Sequence, residues 1–273
     1  MYRKYYDIKE KPFNVTSDPS FLYLSRKHKE AFSHLIYGIE ERKGFLEITG
    51  EIGTGKTTLC RALLNKLNGN TKTAFVLNPD LSQLQLLQVI MEDFGMHVEK
   101  KSKMHMFRQL NKFLLGQLAL NNNVVLIIDE AQNLKPSVLE QLRLLSNLET
   151  EKEKLFQMVL VGQPELRDRL NSPNLRQLRQ RISVRYHIMP LDRDEVNDYI
   201  YHRLAVAGSK GGIVFKDKAI DLIHGYSGGV PRLINIVCDK ALLLGFVLET
   251  RTITFDIVMK SINEVEGRPH EHN

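Results

Sequence analysis

The sequence predicts an α/β fold, a parallel central sheet flanked by helices, followed by a small all-helical domain. Three observations predict it. Residues 46–58 read Leu46-Glu47-Ile48-Thr49-Gly50-Glu51-Ile52-Gly53-Thr54-Gly55-Lys56-Thr57-Thr58, an apolar strand that enters a glycine loop and leaves it as a helix. Val124-Val125-Leu126-Ile127-Ile128 is β-favouring and apolar without alternation, the mark of a strand buried on both faces. After Pro190 no further run of that kind occurs, and only helical periodicity follows.

The elements follow in order. Residues 1–25 lack periodicity but carry Pro12, Pro19 and the rings of Tyr5, Tyr6, Phe13, Phe21 and Tyr23. They read as an extended segment pinned to a core by its aromatics. Covering the base of a nucleotide and plain packing are both open readings for it. Residues 27–41 form an amphipathic helix with Ala31, Leu35, Ile36 and Ile39 on one face. The first strand spans 45–49 and the second 73–78. A helix over 83–94 turns Leu84, Leu87, Ile90 and Met91 inward and stops at Gly95. The charged loop 97–103 could touch a polyanion, and a solvated loop is the expected reading. A long helix over 104–121 presents Phe107, Leu110, Phe113, Leu114 and Leu118 to the core. After the strand at 124–128 come a helix over 136–148, a strand over 156–161, a short helix over 175–181 and a strand over 182–188. Asp192 with Glu195 makes a capping box for a helix to 206. Helices over 216–226, 231–247 and 254–264 complete the chain. The expected division is an α/β domain over 1–190 that includes the extended segment 1–25, a helical lid over 191–265 and a polar tail over 266–273.

Composition bounds the function classes. The 273 residues suit one large domain, or a core with a small satellite. Hydrophobic residues at 42% and charged residues at 26% are ordinary globular values and exclude a disordered or fibrous chain. A net charge of +6 permits contact with nucleic acid or an acidic surface without requiring it. Cys60 and Cys238 make neither a metal spacing nor a disulfide framework, so buried free thiols are expected. No apolar stretch reaches the length of a membrane span, and residues 1–7 lack the apolar core of a signal peptide. The cytoplasm is the expected location.

The chemistry lies at strand ends. Gly50 and Gly55 frame G-x-x-x-x-G-K-T, a loop whose backbone N–H groups point at phosphate where side chains would obstruct it. Residues Gly50, Glu51, Ile52, Gly53, Thr54, Gly55, Lys56, Thr57 and Thr58 are therefore the candidate nucleotide-binding set. Lys56 is expected on the β- and γ-phosphates and Thr57 on Mg²⁺. Asp129 and Glu130 close the strand at 124–128, where open α/β sheets bind ligands. Asp129 is expected to hold Mg²⁺ and Glu130 to act as general base on the attacking water. Gln163 follows the next strand and is a candidate sensor of the γ-phosphate. Arg176, Arg179 and Arg181 cluster ahead of the last strand and suit an arginine finger offered to a neighbouring subunit. Pro231 fixes a helix start that launches Arg232 towards the same phosphate.

These motifs, in this order, resemble the AAA+ ATPases. Residues Tyr6, Lys11-Pro12-Phe13, Asp18-Pro19, Phe21-Leu22-Tyr23, His28, Ala31 and Leu35 narrow the match to the ExeA/GspA-type secretion ATPases. So do residues 49–58, Ile128-Asp129-Glu130-Ala131-Gln132-Asn133-Leu134 and Leu160-Val161-Gly162-Gln163-Pro164-Glu165-Leu166. The resemblance covers roughly residues 1–265. It implies that Lys56 and Thr57 bind phosphate and Mg²⁺, that Asp129 and Glu130 serve hydrolysis, that Gln163 and Arg232 stand at two sensor positions, and that Arg179 or Arg181 is the finger. ExeA-like proteins often continue into a transmembrane helix and a peptidoglycan-binding domain. This chain ends without either, so a short form is expected. The implied function is Mg-dependent ATP hydrolysis by a homo-oligomer that energises or switches secretion, pilus or envelope assembly, working through a protein partner at the inner membrane. The alternatives are a DNA-binding ATPase like the transposition regulators TniB and MuB, and a nucleotide-binding scaffold without turnover.

Overall fold

The computed structural model describes residues 2–67, 69–77, 79–151 and 153–268. They form two compact units. One comprises the described residues within 27–50 and 59–188, the other those within 2–26, 51–58 and 189–268.

The first unit is built on a five-stranded parallel sheet of β1 (Phe45–Gly50), β2 (Thr71–Val76), β3 (Asn123–Ile128), β4 (Gln157–Gly162) and β5 (Ile182–Ile188), in the order β2-β3-β4-β1-β5. The inner strands β1, β3 and β4 are buried almost throughout; β3 and β4 read as nearly continuous apolar runs, while β1 carries Glu47 and Thr49 among its apolar residues. The edge strands differ. β2 alternates between buried and accessible positions, and β5 carries Arg185 and His187, charged or polar groups that discourage further pairing. From β1 the chain crosses β4 and β3 to reach β2, and from β4 it passes to the far side of β1 for β5. The strand order thus reverses at β1, the position where such sheets open a ligand crevice at the strand C-termini.

Helices α2 (Arg26–Glu40), α3 (Lys56–Lys66), α4 (Gln83–Asp93), α5 (Lys103–Ala119), α6 (Pro136–Leu145), α7 (Pro164–Leu170) and α8 (Arg176–Arg179) accompany the sheet. The apolar faces of α4, α5 and α6 share one core cluster with β3 and β4. All five expected strands are present within two residues, and Asn78, placed at the end of the second, lies outside the described residues. Three helix expectations need correction. Leu84 is exposed and Leu86 faces the core in its place. The helix begun at Pro136 ends at Leu145, where the Ser146 hydroxyl donates to the Arg143 carbonyl and turns the chain. The helix over 175–181 shrinks to four residues.

The second unit holds α1 (Tyr2–Tyr5), α9 (Arg193–Val206), α10 (Asp217–Ser227), α11 (Pro231–Val247) and α12 (Phe255–Val265). The capping box of Asp192 and Glu195 forms as expected. This unit is not purely helical. β6 (Val214–Phe215) and β7 (Thr252–Ile253) pair in parallel, a ladder too short to leave a sequence pattern. Residues 2–26 pack with this unit and not with the sheet, because Tyr2, Tyr6, Ile8 and Phe13 enter the core made by α9 to α12. The Tyr2 hydroxyl donates to Asp239 at 2.5 Å and Tyr6 to the carbonyls of Leu242 and Thr250 at 3.1 Å. Burial pushes the Tyr6 phenol up to about 12. The segment is also not fully extended, since it contains α1 and a 3-10 turn at Pro19–Phe21 capped by Asp18.

Candidate active site

The phosphate loop belongs to the second unit. Gly53 and Gly55 adopt φ of 82° and 91°, a left-handed conformation costly to any residue with a Cβ. Gly53 also lies against α11. The Arg232 backbone N–H donates to the Gly53 carbonyl at 3.2 Å, and a Cβ on Gly53 would stand 2.7 Å from Arg232 Cβ. The launch position expected of Arg232 is thus fixed beside the loop. Thr54 is buried and its hydroxyl donates to the Glu51 carbonyl at 2.9 Å. Lys56 opens α3, is 5% exposed, and its Nζ donates to the same carbonyl at 2.8 Å. Two glycines in left-handed geometry, a lysine folded onto the loop and a following helix N-terminus fit a phosphate chain.

The acidic pair belongs to the first unit. β3 is buried from Val124 to Ile128, and Asp129, 1% exposed, accepts the Glu130 N–H at 2.9 Å through Oδ1. Glu130 sits at φ 53°, ψ 36°, a left-handed conformation that costs a non-glycine residue roughly 1–3 kcal/mol. That turn delivers its carboxylate to two amides. Gln132 Nε2 donates to Glu130 Oε2 at 2.5 Å, and Gln163 Nε2 donates to the same oxygen at 3.2 Å. Gln163, directly after β4, thus reaches Glu130 because β3 and β4 are neighbours in register. Its own N–H donates to Gln132 Oε1 at 3.1 Å. Arg169 on α7 donates to the carbonyls of Gln132 and Leu134 and ties down the turn after Glu130. A Cβ on Gly162 would lie 2.7 Å from Gln132 Oε1, so glycine there makes the slot in which the amide sits.

Sequence reasoning singled out Lys56, Thr57, Asp129, Glu130 and Gln163 as candidates but gave Gln132 and Arg169 no role. Gln132 carried one signal, a long amide two residues beyond the acids. Arg169 carried none.

The three arginines stand apart in character. Arg176 is exposed, Arg179 Nη1 donates to the Asn171 carbonyl at 3.4 Å, and Arg181 is tethered to Ser146 Oγ at 3.2 Å. Arg181 also lines a cavity of about 460 Å³ with Lys43, Arg143 and Lys154, whose ammonium is shifted down by burial and by the Arg181 charge. Cys60 and Cys238 are buried and take part in no disulfide, and burial pushes the Cys238 thiol up. Among the described residues no group of three His, Cys, Asp or Glu could cage a metal ion. Mg²⁺ does not need such a cage, since it is ordinarily held by one or two side chains and by substrate phosphates.

Comparison with known proteins adds three findings. A family described as AAA domain matches residues 39–170. General secretion pathway protein A of Aeromonas hydrophila is 44% identical over 268 residues, which are 98% of this chain and 49% of that protein. The chain thus spans about half the length of that relative. Among solved structures, the ORC2 protein of Aeropyrum pernix in ADPNP and ADP complexes aligns with TM-score 0.69 at 18% identity, over 94% of this chain and 72% of the other. Cdc6p of Pyrobaculum aerophilum gives 0.67 at 17%, over 90% and 70%. The RuvB branch migration motor of Thermotoga maritima gives 0.59 at 21%, over 87% and 68%. Identities this low show a shared fold.

Proposed function

The chain belongs to the AAA family, in the branch of general secretion pathway protein A, and from that premise we propose that it is a Mg-dependent ATP hydrolase that works as a homo-oligomer in secretion or envelope assembly. The observation that carries hydrolysis, over binding alone, is the Glu130 carboxylate, which two side-chain amides hold at the end of a buried strand.

In this reading the loop from Gly50 to Thr58 takes the phosphates and Lys56 neutralises the β- and γ-oxygens. Thr57 and Asp129 would hold Mg²⁺, which supplies charge neutralisation on the phosphates. Glu130 accepts a proton from water as its oxygen bonds the γ-phosphorus. The bond from that phosphorus to the bridging oxygen breaks, and ADP leaves. Gln163 places the water through its contact with Glu130, Arg232 stabilises the γ-phosphate, and a neighbour's arginine balances the transferring charge. The secretion role rests on the name of the relative. No helix among the described residues is long and apolar enough to cross a membrane, and we place the protein in the cytoplasm, held at the inner membrane by a partner.

Steady-state phosphate release tests the reading, with and without duplex DNA at moderate salt. Lys56→Ala is expected to lose nucleotide binding. Glu130→Gln is expected to keep ATP affinity and lose about 10²–10⁴-fold in turnover, the usual worth of a general base. Normal turnover in Glu130→Gln removes that residue from its role. Strong, salt-sensitive stimulation by DNA replaces the secretion assignment with DNA loading.

A further inference from the structure

We infer that Gln132 is a positioning residue for hydrolysis, one amide that fixes Glu130 and Gln163 in a single register and selects which oxygen of Glu130 meets the water. The inference rests on the hydrolysis reading above.

The geometry is reciprocal. Gln132 donates through Nε2 to Glu130 Oε2 at 2.5 Å and accepts through Oε1 from the Gln163 N–H at 3.1 Å. The turns after β3 and β4 are therefore joined by both ends of one side chain. Gln163 Nε2 converges on the same Oε2 at 3.2 Å. Among the described residues no hydrogen bond reaches Glu130 Oε1. Oε2 is the anchored oxygen, and Oε1 is the one that takes the proton.

The support is rigid. Arg169 holds the carbonyls on either side of Asn133, and the Asn133 N–H donates to the Glu130 carbonyl at 2.9 Å. A Cβ at position 162 would stand 2.7 Å from Gln132 Oε1, so glycine there keeps the space in which the amide links its two partners. A carboxylate anchored at one oxygen keeps the other within a narrow arc, and displacement of a catalytic group by about 1 Å costs on the order of 10²-fold in rate.

Two variants separate this role from packing. Gln132→Met keeps length and volume and loses both hydrogen bonds. Gln132→Glu keeps the acceptor for the Gln163 N–H and loses the donor to Glu130. Both are expected to lower kcat about 10- to 100-fold, with the ADP dissociation constant unchanged within about twofold by the same criterion of an intact binding site. Thermal melting identifies a variant that has not folded, and the other variant then decides. Turnover retained in Gln132→Glu assigns Gln132 to packing and overturns the inference. The cycle with Glu130→Gln is the second test. If Gln132 acts through Glu130, adding Gln132→Met to Glu130→Gln lowers the residual turnover no further, and a multiplicative loss overturns the inference. A wild-type protein without turnover sinks the hydrolysis reading itself. Normal turnover in wild type and in the Gln132 variants sinks this inference alone.

Discussion

Glu47 occupies the middle of β1 with 2% exposure, and its partner Arg185 on β5 stands 3.3 Å away. An ion pair ordinarily draws a carboxyl down, yet Glu47 is raised, because burial outweighs the charges of Arg185 and Arg167. Burial dominates here because Arg185 is 38% exposed and its charge is screened by water. A carboxyl raised in the folded state contributes stability below its unfolded pKa and loses it as pH rises through the folded value. At pH 7 the carboxyl is thus a net cost to the sheet. Glu47→Gln keeps the shape and removes that cost, so its thermal midpoint at pH 7 is expected above the wild-type value. The gap is expected to close as pH falls towards about 4, where the unfolded carboxyl protonates. A midpoint that drops at pH 7 would show that the pair with Arg185 outweighs burial.

Helix α9 holds the N-terminal segment through one buried arginine. Arg203 donates to the Pro12 carbonyl at 2.5 Å, the Asn14 carbonyl at 2.9 Å and the Tyr199 hydroxyl at 2.9 Å, and it lies over the ring of Phe21. Arg203→Met leaves those acceptors without their donor, at about 1–3 kcal/mol for each buried group left unsatisfied. A lower melting midpoint and faster tryptic cleavage at Lys9 are expected, and a midpoint equal to wild type would mean that the rings alone hold the segment. This attachment was not legible in the sequence. The aromatic residues announced that residues 1–25 are pinned, but the surface that receives them lies 236 residues away at the Tyr6–Leu242 contact, and no local pattern encodes such a separation. The strands were legible for the opposite reason. In a parallel sheet covered on both faces, β3 and β4 must be continuous apolar runs, and that requirement is local. The same division runs through the candidate site. The phosphate loop and the acid pair are each contiguous, so their chemistry can be read directly. The link from Glu130 through Gln132 to Gln163 exists only because β3 and β4 are neighbours, and spacing along the chain does not reveal it.

At the scale of the whole molecule, the arginine cluster decides whether one chain is a complete enzyme. Arg181 is tied to Ser146 within its own chain, whereas Arg176 is exposed and Arg179 makes a single long contact. Guanidinium groups presented at the surface suit a neighbour's triphosphate, because their planar fork bonds two oxygens and stays charged. If the site is shared, turnover per subunit rises with protein concentration until assembly is complete. Mixing gives the sharper outcome. Lys56→Ala cannot hold ATP but still offers its arginines, and Arg176→Ala, Arg179→Ala or Arg181→Ala still holds ATP but lacks one candidate. Two inactive proteins that regain activity when mixed identify the residue that acts across the interface. The finger variant is expected to lose about 10³–10⁵-fold alone, the worth of such a group in related phosphoryl transfer, and to recover part of its turnover with Lys56→Ala. Flat specific activity across the assembly range, together with no recovery in any of the three mixtures, would assign the whole site to one chain and leave the arginines as ordinary surface charge.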